Sequence, residues 1–214
     1  MKDTSGTKRG YQADVHFTLG TVIQGFTLAA LGNEIADALR SLPFPGAAWA
    51  FVAGFQSLLL CIIFWYTFMD NYFFGFRVLN LRALTHFYYA ALYLVLGLLQ
   101  VLAIRFIDAP RTWMTCYVLL LLATLAGTRI AAKDFVDSPD KAVREAIGYD
   151  PGSREFILAS LLAFVYLLTW YALPNPEHEG FKAGGLSISG LSILFFIYYY
   201  IRRFQRHLEA SGRI

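Results

Sequence analysis

The sequence contains few of the residues that enzymes use for chemistry. Among its 214 residues there are only four histidines and two cysteines, and charged residues make up 15% of the chain. Cys61 and Cys116 show neither CxxC nor CxxCH spacing, which argues against a zinc site or a covalently attached haem. No GxSxG, HExxH, P-loop or paired-carboxylate motif is present. We therefore predict that the chain is not an enzyme and carries no cofactor.

Apolar residues, by contrast, are abundant and occur in long blocks. Hydrophobic residues make up 57% of the chain and aromatic residues 17%, and the mean hydropathy is +0.49. Soluble domains of this length are less apolar, so the composition predicts an all-α polytopic membrane protein with one membrane domain over residues 1–214. The formal charge of +3 does not indicate a nucleic-acid partner, because the basic residues flank the apolar blocks instead of forming a patch. The expected surroundings are a lipid bilayer.

The apolar blocks predict a bundle of six transmembrane helices. A helix of about 20 residues, rising 1.5 Å per residue, crosses a hydrocarbon core of about 30 Å. Prolines and glycines in residues 41–46 and 174–180 end one helix and begin the next. The polar segment 133–154 is predicted to be a cytoplasmic linker with a short surface helix over 138–148. The predicted spans are 15–39, 47–69, 83–104, 112–132, 155–173 and 182–201.

Lysine and arginine are distributed unequally between the two sides of these spans. Of the 18 basic residues, only Arg40, Arg105, Arg111 and Lys182 fall on one side, and the other 14 fall on the opposite side. Basic residues accumulate on the cytoplasmic side of membrane proteins. The N- and C-termini are therefore predicted to be cytoplasmic, in a bacterial inner membrane or a plasma membrane.

The first predicted span carries a polar stripe along one face. At 100° per residue, six of its residues fall within about 80° of arc, and the opposite side is apolar. Since lipid offers polar groups no partners, such a stripe should face other helices or water. Two interpretations stay open: packing between helices, or a polar pathway lined by Gln24, Thr27, Leu31 and Glu34. The stripe consists of His16, Gly20, Gln24, Thr27, Leu31 and Glu34.

Five polar residues near the ends of the spans are candidates for a functional role. Glu34 and Asp37 can recruit cations at the outer mouth of a pathway. Alternatively, they pair with Arg40 or are solvated at the interface. Asp70 ends the second span and is expected to be a structural anchor. His16 and His86 open two different spans at matched depth.

Two histidines in this arrangement can ligate a b-type haem. The favoured alternative is that His16 and His86 meet lipid headgroups or backbone carbonyls at the interface. The remaining histidines, His178 and His207, fall in a loop and a tail, so the four ligands of a two-haem cytochrome are not available.

The sixth span carries glycines and serines from Gly184 to Ser192 that are suited to close helix contact.

The first two spans resemble the prokaryotic six-helix members of the endolysosomal potassium-channel family. Aligning Phe26-Thr27-Leu28 with that family's I-T-L-L run sets Phe17-Thr18-Leu19 against its F-S-D signature, with Leu19 in place of the aspartate. The end of the second span, Phe64-Trp65-Tyr66-Thr67-Phe68, is similar to the family's tryptophan-containing end, with Phe68 in place of a histidine. The resemblance covers about 55 residues. It implies an oligomeric channel in which the first helix lines the pore.

The leading functional hypothesis from the sequence is an oligomeric, cation-conducting channel. Its partners would be inorganic cations and further copies of the same chain, since a single polar stripe cannot surround an aqueous pore alone. The alternative from another class is a non-conducting membrane scaffold or sensor that acts through the 133–154 linker and the basic tail. A haem-binding redox protein is the least favoured hypothesis.

The charge distribution makes a prediction about topology. A reporter fused after Ile214 should face the cytoplasm, whereas one inserted at Glu177 should face outward, because the basic bias puts these two sites on opposite sides. Reporter activity or protease protection in intact cells measures both. Two reporters on the same side would refute the six-span prediction.

Overall fold

All regular secondary structure in the described part of the chain is α-helix. The computed structural model describes residues 4–44, 46–70, 83–136, 154–173 and 178–210. The all-α fold class is confirmed, and a helix is found at each of the six predicted positions. Several helices are longer than predicted, the first above all. The helices are α1 (Thr4–Ser41), α2 (Gly46–Asp70), α3 (Ala83–Arg105), α4 (Pro110–Val136), α5 (Arg154–Ala172) and α6 (Glu179–Ala210).

Three of the described helices are long and apolar enough to cross a membrane. They are α2 over Gly46–Met69, α3 over Tyr88–Arg105 and α6 over Glu179–Arg202, and α5 contains a shorter apolar stretch, Ser160–Ala172. Helices of this length and hydropathy indicate a membrane protein. Membrane crossing by α1, α4 and α5 stays a prediction, as do the cytoplasmic termini. The polar stripe and the charged ends of α1 lower its mean hydropathy.

Short connections make α1 a neighbour of α2, and α3 a neighbour of α4. α1 ends just before Pro43, where the Leu42 amide still donates to the carbonyl of Ala38 and the Ala47 amide reaches back to Pro43. α4 begins with a proline, which suits the first helical position because that amide has no intrahelical partner. α1 packs on α2 and α3, α3 on α4, α2 on α6, and α5 on α4 and α6.

Large apolar residues lie on both the inside and the outside of the bundle. Trp113, Trp170, Tyr117 and Phe68 are fully buried, whereas Leu191 on α6 is 68% exposed. Many other leucines, valines and phenylalanines on the outer surface are also exposed. An outer surface this apolar suits lipid and not water.

Glycines allow α1 to approach its neighbours closely. A Cβ atom at Gly97 of α3 would lie 2.4 Å from the Cγ2 atom of Ile23, and one at Gly20 would lie 2.3 Å from the ring of Phe68. Since Ile23 is β-branched, few rotamers are available for it to move away. The positions Gly20 and Gly97 therefore fix how near α2 and α3 lie to α1.

Adding one methyl group at this contact should destabilise the bundle. We expect Gly97→Ala to lower the free energy of unfolding by about 1–3 kcal/mol, as overpacking of a filled contact does. Gly32→Ala is the matched control, because nothing lies within 4 Å of the Cβ position there. Thermal or denaturant unfolding in detergent measures both variants. Equal stability of the two would contradict the close contact.

Candidate functional site

From Gly20 to Glu34, the polar stripe of α1 faces α2 and α3 of the same chain. Gln24 is 5% exposed, Thr27 is fully buried and Leu31 is 4% exposed. On the opposite side of the helix, Val22 is 63% exposed and Phe26 70%. Facing other helices is one of the two surroundings that the sequence allowed. A pathway-lining role for these residues stays a prediction.

A hydrogen bond between two glutamines joins the stripe to α3. Gln24 Nε2 donates to Gln100 Oε1 at 3.1 Å, and both side chains are buried. Gln100 Nε2 has no partner among the described residues. The sequence analysis did not single out Gln100, although it is the one amide side chain in the apolar C-terminal half of α3. A lone glutamine in such a segment is the signal that could have found it.

An ion pair joins the same two helices at their C-terminal ends. The guanidinium of Arg105 contacts the carboxylate of Glu34, and 67% of the arginine side chain is exposed. Asp37 is exposed and lies near enough to interact electrostatically with Arg105. The described partner of Glu34 is thus Arg105 of α3, which the sequence analysis did not consider, and not Arg40 of its own helix. Because solvent screens an exposed pair of this kind, it contributes little to stability.

Away from α1, a further polar contact joins α2 to α6. Gln56 Nε2 donates to the carbonyl of Leu186 at 2.8 Å, and Ser189 Oγ donates to Gln56 Oε1 at 2.5 Å. Gly190 leaves room for the amide, since a Cβ atom there would lie 3.2 Å from Gln56 Nε2. A Cβ atom at Gly185 would lie 2.9 Å from the ring of Tyr166 on α5. The predicted close contact of the sixth span is therefore confirmed within the bundle.

Hydroxyl and indole groups extend this contact to α4. The hydroxyls of Tyr117 and Ser192 lie 2.7 Å apart, and Trp113 Nε1 donates to Ser57 Oγ at 3.1 Å. The rings of Trp113 and Tyr117 stack with their centroids 5.5 Å apart and 7° between their planes. Neighbouring side chains on α2, α4 and α6 thus hydrogen bond across three helices.

Two of these contacts consist of neutral groups: the glutamine pair between α1 and α3, and the hydrogen bonds among α2, α4 and α6. Amides, hydroxyls and an indole donate and accept hydrogen bonds, but none of them is a strong acid, base or nucleophile without an activating neighbour. Among the described residues, no group of three or more histidine, cysteine or acidic side chains could hold a metal ion. The chemistry that this interior supports is helix pairing through hydrogen bonds.

Several predicted candidates fall outside the described part of the structure. His16, His86 and Asp70 lie in α1, α3 and α2, but their side chains are not among those described. Most of the 133–154 linker, including the predicted surface helix, also lies outside the described residues. The haem hypothesis and the linker helix therefore stay predictions.

An apolar groove runs along the outside of the contact between α1 and α2. Its volume is about 410 Å³, and its lining is almost entirely apolar. Gln24 borders this groove while its amide nitrogen reaches Gln100 on α3. The lining residues are Thr21, Gln24, Gly25, Leu28, Cys61, Ile62, Trp65 and Tyr66.

Comparison with protein-family models, curated proteins and solved structures finds no match for this chain. The resemblance to a potassium-channel family therefore stays a prediction from the sequence. The arguments about function rest on the geometry of the described residues.

The glutamine pair makes a prediction about stability. Gln24→Leu should lower the free energy of unfolding by about 1–3 kcal/mol, because it leaves both polar atoms of the buried Gln100 amide without a partner. The double variant Gln24→Leu/Gln100→Leu should recover most of this loss, since no buried amide remains at this contact. Unfolding in detergent of the two single variants and the double variant gives the coupling energy.

The exposed Gln205 of α6 provides the control. Gln205→Leu should change the stability little, because that amide is solvated before and after unfolding. Losses at Gln24 and Gln100 that simply add in the double variant would contradict a hydrogen bond between them.

Proposed function

We propose that this chain is a non-conducting membrane scaffold, in which the polar stripe of α1 pairs helices within one protomer. The observation that carries the proposal is the burial of Gln24, Thr27 and Leu31 against α2 and α3. A scaffold needs its helices in one defined arrangement. Buried hydrogen-bonding groups favour a single arrangement, because they would lose their partners in any other.

The outer face of α1 supports this proposal over a pore between subunits. A helix that lines such a pore needs its polar face on the surface of the protomer, where other copies meet it. Here the middle of α1, over residues 22–32, exposes only apolar side chains and glycines, among them Val22, Phe26 and Leu28. An aqueous pore walled by these side chains would lack the polar groups that replace the water around an ion.

The scaffold would hold its polar segments at the two surfaces of the membrane. Under this proposal all six helices cross the bilayer, and the termini and the 133–154 linker face the cytoplasm. The support is the basic bias of the sequence, together with the short connections between α1 and α2 and between α3 and α4. The linker and the basic tail would then be the parts that meet cytoplasmic partners.

One observation favours a second candidate function, a cation channel. Glu34, Thr27 and Gln24 form a series of oxygen-bearing side chains from the C-terminal end of α1 to its middle. The described polar contacts between α1 and α3 are one neutral hydrogen bond and one exposed ion pair. A pathway lined by these three residues and Leu31 would form if α1 and α3 separated within a protomer.

Cysteine accessibility distinguishes the two candidates. In a background with Cys61 and Cys116 replaced by alanine, we expect Gln24→Cys, Thr27→Cys and Leu31→Cys to resist charged thiol reagents in liposomes. Thiols buried between helices stay protonated and out of reach. Asp37→Cys is the positive control, because Asp37 is exposed near the end of α1.

Ion flux from the same liposomes supplies the second measurement. The scaffold proposal predicts a potassium or sodium flux equal to that of protein-free liposomes. Reaction at the three stripe positions, together with a flux that the reagent blocks, would overturn the scaffold and support the channel.

A further inference from the structure

We propose that Arg202, together with Arg203 and Arg206, binds the phosphate group of an anionic phospholipid where the apolar span of α6 ends. This inference goes beyond the proposed function, because it names a lipid partner and applies to a scaffold and to a channel alike. It rests on the position of Arg202, on the absence of a described ion pair for its guanidinium, and on the charge of the helix that continues beyond it.

Arg202 lies where the lipid-facing surface of α6 ends. The apolar span covers Glu179–Arg202, and the helix continues to Ala210. At 100° per residue, five exposed residues of the span fall within about 100° of arc and form one outer face. Four of them are apolar, and the last is an arginine, at the end of the span where headgroups replace hydrocarbon. The five residues are Leu191, Leu194, Tyr198, Ile201 and Arg202.

The ring of Tyr198 holds the guanidinium at this level. The Cζ atom of Arg202 lies 5.4 Å from the centroid of that ring. A cation over an aromatic face is attracted by the ring quadrupole. Side chains of a helix lean towards its N-terminus, so the guanidinium covers the turn before Arg202 and not the turn after it. The positive charge therefore stays at the depth of the interface.

The two ends of α6 differ in how their basic residues are paired. At the N-terminal end, Lys182 Nζ lies 3.2 Å from Glu179 Oε1. Among the residues that the structure describes, no ion pair involves Arg202. A guanidinium offers donors in a planar fork that matches two oxygens of a phosphate. Phosphate is the anionic group that a membrane supplies at this depth.

An aromatic contact directs the extension of α6 beyond the span. The ring of Phe204 meets the ring of Tyr66 on α2 edge to face, with centroids 6.0 Å apart and 88° between their planes. At 100° per residue, positions 204 and 202 lie about 160° apart around the helix. The side of α6 that packs on α2 is therefore opposite Arg202, which is left on the outer side.

The extension is basic enough to favour an anionic lipid over a zwitterionic one. Residues 202–210 contain three arginines and a single acidic residue, Glu209. Arg206 follows Arg202 by one helical turn, about 40° away around the axis. Basic residues that directly follow a membrane span are attracted to anionic headgroups, by about 1 kcal/mol for each residue near the surface.

A lipid fits this position better than a soluble acidic protein does. Tyr198 and Ile201 flank Arg202 on the outer face and are 58% and 42% exposed. A soluble partner would have to displace headgroups and cover these apolar side chains to reach the guanidinium. A phospholipid meets both with one molecule, through its acyl chains and its phosphate.

Native mass spectrometry of the full-length protein in detergent tests the lipid preference. The protein is titrated with phosphatidylglycerol or with phosphatidylcholine of the same acyl chains, so that the apolar contribution is equal. We expect phosphatidylglycerol to bind at least about fivefold more tightly, and this preference to fall at high salt, since salt screens exposed charges. Equal affinities for the two lipids would overturn the proposal.

Charge-removing variants locate the site. Arg202→Gln should weaken phosphatidylglycerol binding about fivefold, and Arg202→Gln/Arg203→Gln/Arg206→Gln should abolish the preference over phosphatidylcholine. Lys182→Gln is the matched control, because it removes one positive charge from the opposite end of α6, where the charge is already paired. Arg202→Gln should unfold in lipid-free detergent as wild type does, since the residue is exposed. A triple variant that keeps the wild-type preference would refute the assignment to these arginines.

Two substitutions of Tyr198 test its role as a positioning residue. Tyr198→Leu should weaken phosphatidylglycerol binding, because the guanidinium loses the ring that holds it. Tyr198→Phe should restore the affinity, since it keeps the ring.

Glycerol 1-phosphate distinguishes a lipid from a free phosphate as the ligand. It carries similar phosphate chemistry without acyl chains, and we expect it not to displace phosphatidylglycerol at equal concentration. Displacement at equal concentration would indicate a site for a soluble phosphate and would overturn the assignment to a lipid.

Discussion

The structure depends on the rule that a polar group inside a membrane must find its partner within the protein. Hydrocarbon offers no hydrogen bonds, so an unpaired amide there is unfavourable by several kcal/mol. α1 carries more polar residues in its middle than an isolated lipid-facing helix tolerates. Gln100 lies within the apolar span of α3, where its amide oxygen accepts a hydrogen bond from the buried Gln24 of α1. The orientation of α1 about its own axis is the most direct consequence.

The same rule explains why hydrogen bonds and small residues occur together. A buried amide reaches a neighbouring helix only if the two backbones lie close, and a side chain at the contact keeps them apart. Gln56 meets α6 where Gly190 leaves space, and α1 meets α2 and α3 at Gly20 and Gly97. Glycines thus set the distances, and the polar groups then determine which arrangement of the helices is satisfied.

The positions of the helices and the polar stripe of α1 could be predicted from the sequence. The residues that this stripe contacts on other helices could not. Hydropathy and periodicity are local properties, so the helix positions and the stripe could be recognised from α1 alone. The partner of Gln24 could not, because Gln100 is 76 residues away and its register depends on how two helices cross. For Glu34 the sequence offered Arg40 as one alternative, since only neighbours along the helix can be read from sequence. Arg105 becomes available only through the packing of α3 on α1.

Two interior contacts, the one between Gln24 and Gln100 and the one between Gln56 and α6, are electrically neutral. This neutrality bears on how the protein responds to the membrane potential. An electric field across a membrane acts on charge, with about 2.3 kcal/mol per elementary charge per 100 mV. Apart from the exposed ion pair between Glu34 and Arg105, the described side chains that join α1 to α3 and α2 to α6 are amides and hydroxyls, which carry no net charge. A change in membrane potential therefore has little to act on at these contacts. The helices they hold together should stay paired in energised and de-energised membranes alike.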